Sequence, residues 1–167
     1  MDLYRFSPIE SPTVLDDAIR YIADECTWLF FNEVGYVAPI RSLTIFAHYP
    51  DEYDHLARLV TDMGVLVNEN KGPRVKLREP VTVHVGNIEV NGLRETVTQT
   101  IEYLRVRRPD PYRMQVGCAV YDVSDYWDFK SFYGLVSASP RTLDRGEYEV
   151  LEFFSPSSDV LGYAVSN

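Results

Sequence analysis

Two short stretches of the chain carry a cation at every second residue. Tyr103, Arg105 and Arg107 interleave with Leu104 and Val106, and Arg74, Lys76 and Arg78 interleave with Val75 and Leu77. Alternate residues of a strand share a face, so each stretch has one apolar side and one basic side. Guanidinium groups gathered on one face bind carboxylates and phosphates through paired, charge-assisted hydrogen bonds. If both rows line a concave surface, Arg74, Lys76, Arg105 and Arg107 would neutralise a small anion, and Tyr103 and Ser42 would supply hydrogen bonds. The alternative is an ordinary solvated strand face whose arginines pair with surplus acids.

Other constellations point elsewhere. His48, Asp51, Glu52, Asp54 and His55 form the densest group of potential metal ligands, and Asp51 and His55 would share one helical face. Acids at that point equally suit the first turn of a helix, where they complement its dipole. His84 would need an orienting carboxylate, with Glu89 the nearest in sequence, to act as a base. Cys118 is the one plausible nucleophile, yet a thiol among Val116, Ala119 and Val120 also reads as core. The run Arg105 to Arg113 mixes arginine and tyrosine, and Asp110 there can pair with Arg108 or Arg113 to stiffen a linker. No dinucleotide, P-loop, zinc-protease, serine-hydrolase or EF-hand pattern occurs.

The background is acidic. Sixteen basic against 25 acidic residues leave a net charge of -9, which argues against nucleic acid and against an anionic membrane surface. Two cysteines far apart suggest free thiols rather than a disulfide. The opening residues lack the basic and apolar regions of a signal peptide, so a cytoplasmic location is expected. Twelve tyrosines suit a wet cleft wall or a homodimer interface.

The elements that would position these residues follow from periodicity. Residues 11–36 read as a helical opening, entered through Ser11-Pro12-Thr13 and stopped at Gly35, with the all-apolar stretch Cys26–Phe31 either buried or turning into a strand. The spacing predicts a strand at 41–48, a helix at 51–63, and strands at 65–70, 74–78, 81–85, 88–90 and 101–108. Gly86-Asn87 is the expected hairpin turn. After Pro109-Asp110-Pro111 the order restarts: a strand at 114–123, a helix capped by Ser124-Asp125 and closed by Gly134, then strands at 135–139, 148–154 and 160–165, with a turn over 140–146. The aromatic set Tyr121, Tyr126, Trp127, Phe129, Phe132 and Tyr133 is expected to pack this second helix onto its sheet.

The expected fold is α+β: a helical lead over 1–39, a first βαβββ module over 40–108 and a second over 109–167, all in one domain with a curved mixed sheet. The stretches Gly64–Asn70, Arg74–Pro80, and Ile101–Pro111 leading into Val116–Val123 resemble the vicinal-oxygen-chelate fold of glyoxalases, extradiol dioxygenases and bleomycin-resistance proteins. The nearest subgroup is the YecM-like one. The stretch from Val81 to Thr100 is longer than that pattern. The resemblance implies metal ligands on the first and last strands of each module, here falling on or near Ser42, Cys118 and Arg105. None replaces a histidine or glutamate, and a guanidinium repels a metal. The expectation is therefore a binding protein for a small anion with no metal centre or other cofactor. Two alternatives stand beside it. One is a metal-dependent lyase, isomerase or dioxygenase using His48, His84 and Glu89 or Glu152, and the other is a homodimeric interaction protein joined through a sheet edge.

Overall fold

The structure is a computed structural model that describes residues 4–136 and 141–166. It opens with a long helix, α1 (Pro12–Val34). The Ser11 hydroxyl accepts from the Val14 amide at 3.2 Å, and Gly35 ends the helix in the left-handed conformation at φ 90°. Both ends therefore fall where cap chemistry places them. Leu15, Ala18, Ile19, Ile22, Ala23, Cys26, Leu29 and Phe30 form its buried stripe.

Strand β1 (Ile40–Phe46), helix α2 (Pro50–Thr61) and strands β2 (Gly64–Asn68), β3 (Arg74–Val90) and β4 (Leu93–Arg107) follow. Then come β5 (Gly117–Tyr121), α3 (Tyr126–Val136), β6 (Arg141–Asp144), β7 (Glu149–Phe153) and β8 (Val160–Val165). The eight strands form one sheet in the order β2-β3-β4-β1-β5-β8-β7-β6. The protein is thus a mixed α+β fold on a single sheet, and none of its described helices is long and apolar enough to cross a membrane.

At the centre, β1 runs parallel to β4 and antiparallel to β5. Leu43, Ile45 and Ala119 are buried beneath α1, and Leu104 and Val106 are buried on β4, which packs against α2. Gly117 permits the close approach of that helix: a Cβ there would lie 2.4 Å from the Ile22 side chain and 2.5 Å from the Thr44 carbonyl. Phe30, Tyr121, Phe129, Tyr133 and Phe153 extend the core as ring contacts. Trp127 and Phe132 stay half exposed, so only part of the expected aromatic set packs inward.

Three expected boundaries are corrected. The chain does not turn at Gly86-Asn87. That pair is a bulge inside β3, with Asn87 at φ 65° and a register shift between Val85 and Ile88. The reversal comes at Asn91-Gly92, with φ 53° and 79°, because a tight hairpin needs positive φ at both central residues. Gly134 does not close α3, which continues to Val136, so Leu135 and Val136 are helical rather than strand. The remainder of that expected strand, residues 137–139, lies outside the described residues. Most of the expected 140–146 turn is strand β6, paired with β7 from Arg141↔Glu152 to Asp144↔Glu149. At the opposite edge, β2 leaves Val65, Leu66 and Val67 exposed.

Candidate functional site

The face of the sheet away from α1 is concave, and no helix among the described residues covers it. It encloses a cleft of about 1340 Å³, larger than the pockets that usually hold small ligands. The β-register explains which side chains reach it. Arg74 lies opposite Arg105, Arg105 beside Thr44, Thr44 beside Cys118, and Cys118 beside Leu161. A second row runs Lys76, Tyr103, Ser42, Val120, Tyr163 and Glu152.

Of the six residues singled out in the sequence, Ser42, Arg74, Tyr103, Arg105 and Arg107 line this cleft and Lys76 does not. Lys76 pairs across from Tyr103 but is exposed outside the cleft, although Arg74 of the same strand lines it. The level expected for Ser42 is held by Thr44, which sits directly between Arg105 and Cys118, while Ser42 is one pleat along, between Tyr103 and Val120.

Charge in the cleft opposes that of the whole molecule. Eight cationic residues line it (Arg41, Lys71, Arg74, Arg105, Arg107, Arg108, Arg113 and Arg145) against two acids, Glu69 and Asp122. Asp122 is already bound to Arg41 at 2.6 Å. Arg113 has a distant carboxylate, Asp110 at 4.0 Å, and lies over the Phe46 ring at 4.4 Å. Among the described residues, Lys71, Arg74, Arg105, Arg107 and Arg145 have no ion-pair partner. Their contacts are neutral. Arg105 donates to Asn68 Oδ1 at 3.1 Å and to the Gly72 carbonyl at 3.5 Å, and Arg74 stacks on the Tyr103 ring at 4.4 Å.

These groups feel one another. Arg107, followed by burial, Arg145 and Arg105, pulls the Lys71 amine below its ordinary pKa. Burial first, then Arg74 and Arg107, lowers Arg105. Burial and then Arg113 lower Arg107. Like charges drawn together without counter-ions destabilise the charged forms, and a bound anion would relieve that repulsion.

No periodicity marks Arg145, which sits between β6 and β7, and Arg113 is expected only in a linker. Lys71 lies in the Lys71-Gly72-Pro73 turn between β2 and β3. The turn is pinned to β4: the Arg108 amide donates to the Lys71 carbonyl and the Val106 amide to the Pro73 carbonyl. Gly72 at φ 120° makes this possible, since a Cβ there would lie 1.8 Å from the Val106 carbonyl oxygen.

Cys118 lies on the cleft floor but is poorly suited to nucleophilic work. Burial pushes its thiol up to about 11, against the smaller opposing pull of Thr44 and the arginines. The thiol form therefore dominates at neutral pH. The histidine set is dispersed. His48 is buried, with Ser7 Oγ at 2.7 Å and the Gln115 carbonyl at 3.0 Å, and burial lowers its pKa. His55 meets the Glu10 carbonyl at 2.7 Å. Glu52 accepts from the His48 amide at 2.7 Å and the Ile9 amide at 2.6 Å, which fastens the lead segment to the start of α2. This is the helix-entry role that acids there can fill. His84 bonds Thr98 rather than Glu89, which pairs across from Arg94. Glu152 is held by Arg141 and by the Tyr163 hydroxyl at 2.9 Å. Among the described residues no three His, Cys, Asp or Glu side chains converge to hold a metal ion.

The comparisons speak to fold alone. No family model and no curated protein matches the chain. A solved structure titled "Structural Genomics, Protein EC4020" is similar over 95% of this chain and 93% of its own, with a TM-score of 0.57 and 14% identity.

Proposed function

We propose that the protein binds a small carboxylate or phosphate anion in the concave cleft, on an architecture of two βαβββ modules like that of the vicinal-oxygen-chelate proteins. Support for the modules comes from order. The strands of β1 to β4 and of β5 to β8 are arranged the same way about the central β1–β5 pair. The observation that carries the anion reading is the group Lys71, Arg74, Arg105, Arg107 and Arg145, which share one cleft without a carboxylate partner among the described residues. In a chain with 25 acids, ion pairing was available and is not used there.

The fold family's divalent metal does not suit this floor. Its donors at the relevant level are Thr44, a guanidinium and a thiol held protonated, flanked by further cations. Such a set neither supplies anionic ligands nor tolerates added positive charge. Binding by Arg74, Arg105 and Arg107 orients an anion's oxygens through forked N–H donors, and Tyr103 and Ser42 supply neutral hydrogen bonds. Titration of inorganic phosphate into the protein tests this by calorimetry. Binding weakens steeply with added salt, and Arg105→Ala lowers affinity at least about tenfold, since a charge-assisted bond contributes ~1.5–3 kcal/mol. An Arg105→Ala protein that folds normally and binds phosphate as well as wild type would refute the assignment.

A further inference from the structure

The two walls of the cleft differ in chemistry. The β3–β4–β1 side is cationic, whereas the β5–β8–β7 side presents Val120, Leu161, Val165, Val150 and the rings of Tyr163 and Tyr148. Most of these groups reach solvent: Val120 is 37% and Tyr148 38% exposed, Leu161, Tyr163 and Val165 are partly exposed, and Val150 is buried beneath them. Among the described residues no helix covers them, because α1 packs on the opposite face, against β1, β3, β5 and β8. The sheet therefore holds a water-exposed apolar floor directly beside unneutralised cations, inside a cavity of about 1340 Å³. A free phosphate, with five heavy atoms, would occupy only a small part of that space.

We infer that the ligand is an amphipathic phosphomonoester, its dianionic head against Lys71, Arg74, Arg105 and Arg107 and its apolar body across β5 and β8. This rests on the anion reading above and adds the ligand's second half. A dianion suits the site better than a single carboxylate, because the cations repelling one another outnumber one negative charge. Phosphate oxygens also match the forked donors of neighbouring arginines. Apolar surface leaving water on both sides then adds about threefold to fourfold in affinity for each methylene buried.

The test is calorimetry at fixed ionic strength with three probes: inorganic phosphate, octyl phosphate and 1-octanol. Octyl phosphate binds at least about thirtyfold more tightly than inorganic phosphate. The double substitution Val120→Thr and Val165→Thr keeps side-chain shape at two partly exposed positions and narrows that ratio below about tenfold. Equal affinity for the two phosphates overturns the apolar half and leaves the anion reading intact. Octanol binding as tightly as octyl phosphate, or no binding of either phosphate, refutes the anion reading and this inference with it.

Discussion

The two halves of the concave face share a strand order and differ in what they point inward. On β4 the inward positions are Tyr103, Arg105 and Arg107, and on β8 they are Leu161, Tyr163 and Val165. Outward, both strands bury aliphatic groups: Leu104 and Val106 on one, Val160 and Ala164 on the other. The outward residues meet the same demand, a dry contact with the layer beneath the sheet, and so converge on the same chemistry. The inward residues face water and are free to diverge. The difference between the halves is therefore informative about ligand, whereas their agreement is informative only about packing.

The comparison can be broken most severely at the turn that builds the cationic rim. Gly72→Ala places a side chain at φ 120° and against the Val106 carbonyl. The expected loss is about 3 kcal/mol or more by urea unfolding, because the clash is with backbone and not with a flexible tip. A stability within about 0.5 kcal/mol of wild type would show that the turn is not held against β4 as described.

A smaller effect concerns the boundary between the halves, where Cys118 sits level with Thr44 and Leu161. Its thiol is pushed up to about 11, so at pH 8 it alkylates with iodoacetamide at least about a hundredfold more slowly than a free cysteine of ordinary acidity. The sign follows from the raised value: the rate climbs about tenfold per pH unit and levels only near the shifted pKa. A plateau near pH 8.5 would mean that the arginines outweigh burial.

The smallest effect sharpens the contrast through stability. Arg107 is half-buried and repelled by its neighbours, and among the described residues its guanidinium has no hydrogen bond or ion pair to lose. Arg107→Gln in low-salt buffer free of phosphate is expected to raise stability by about 0.5–1 kcal/mol, a gain that shrinks as salt screens the cluster. Destabilisation at every salt concentration would indicate a structural role for that guanidinium.

Much of the site was legible from alternation alone. Arg105 and Arg107 share a face because Leu104 and Val106 must be buried, and the same logic fixes Arg74 opposite Val75 and Leu77. Alternation does not say which strands become neighbours, so the meeting of Arg74 with Arg105, and of Thr44 with Cys118, had to come from the fold. Lys71, Arg113 and Arg145 lie outside the strands, where no periodicity exists to read. The hairpin was misplaced because Gly86-Asn87 and Asn91-Gly92 carry similar turn chemistry, and only the second lets β3 and β4 reach full length. The 140–146 stretch is mostly strand because pairing with β7 outweighs its turn-like composition.

One ladder of hydrogen bonds passes beneath the cleft, from β4 through β1 to β5 and β8, with a single register shift between Ile40 and Ser42 in the β1–β5 pair. Rotating one half against the other to grip a ligand would sever backbone bonds along the β1–β5 pair, each contributing ~0.5–1.5 kcal/mol. The floor thus has no hinge. Whatever adjustment accompanies entry or release falls to the rim, to the Lys71-Gly72-Pro73 turn on one bank and the Arg145-Gly146 reversal on the other. The proposed recognition groups on β1, β3 and β4 therefore stand on a fixed tray, and only two small loops at its edge are left to adjust.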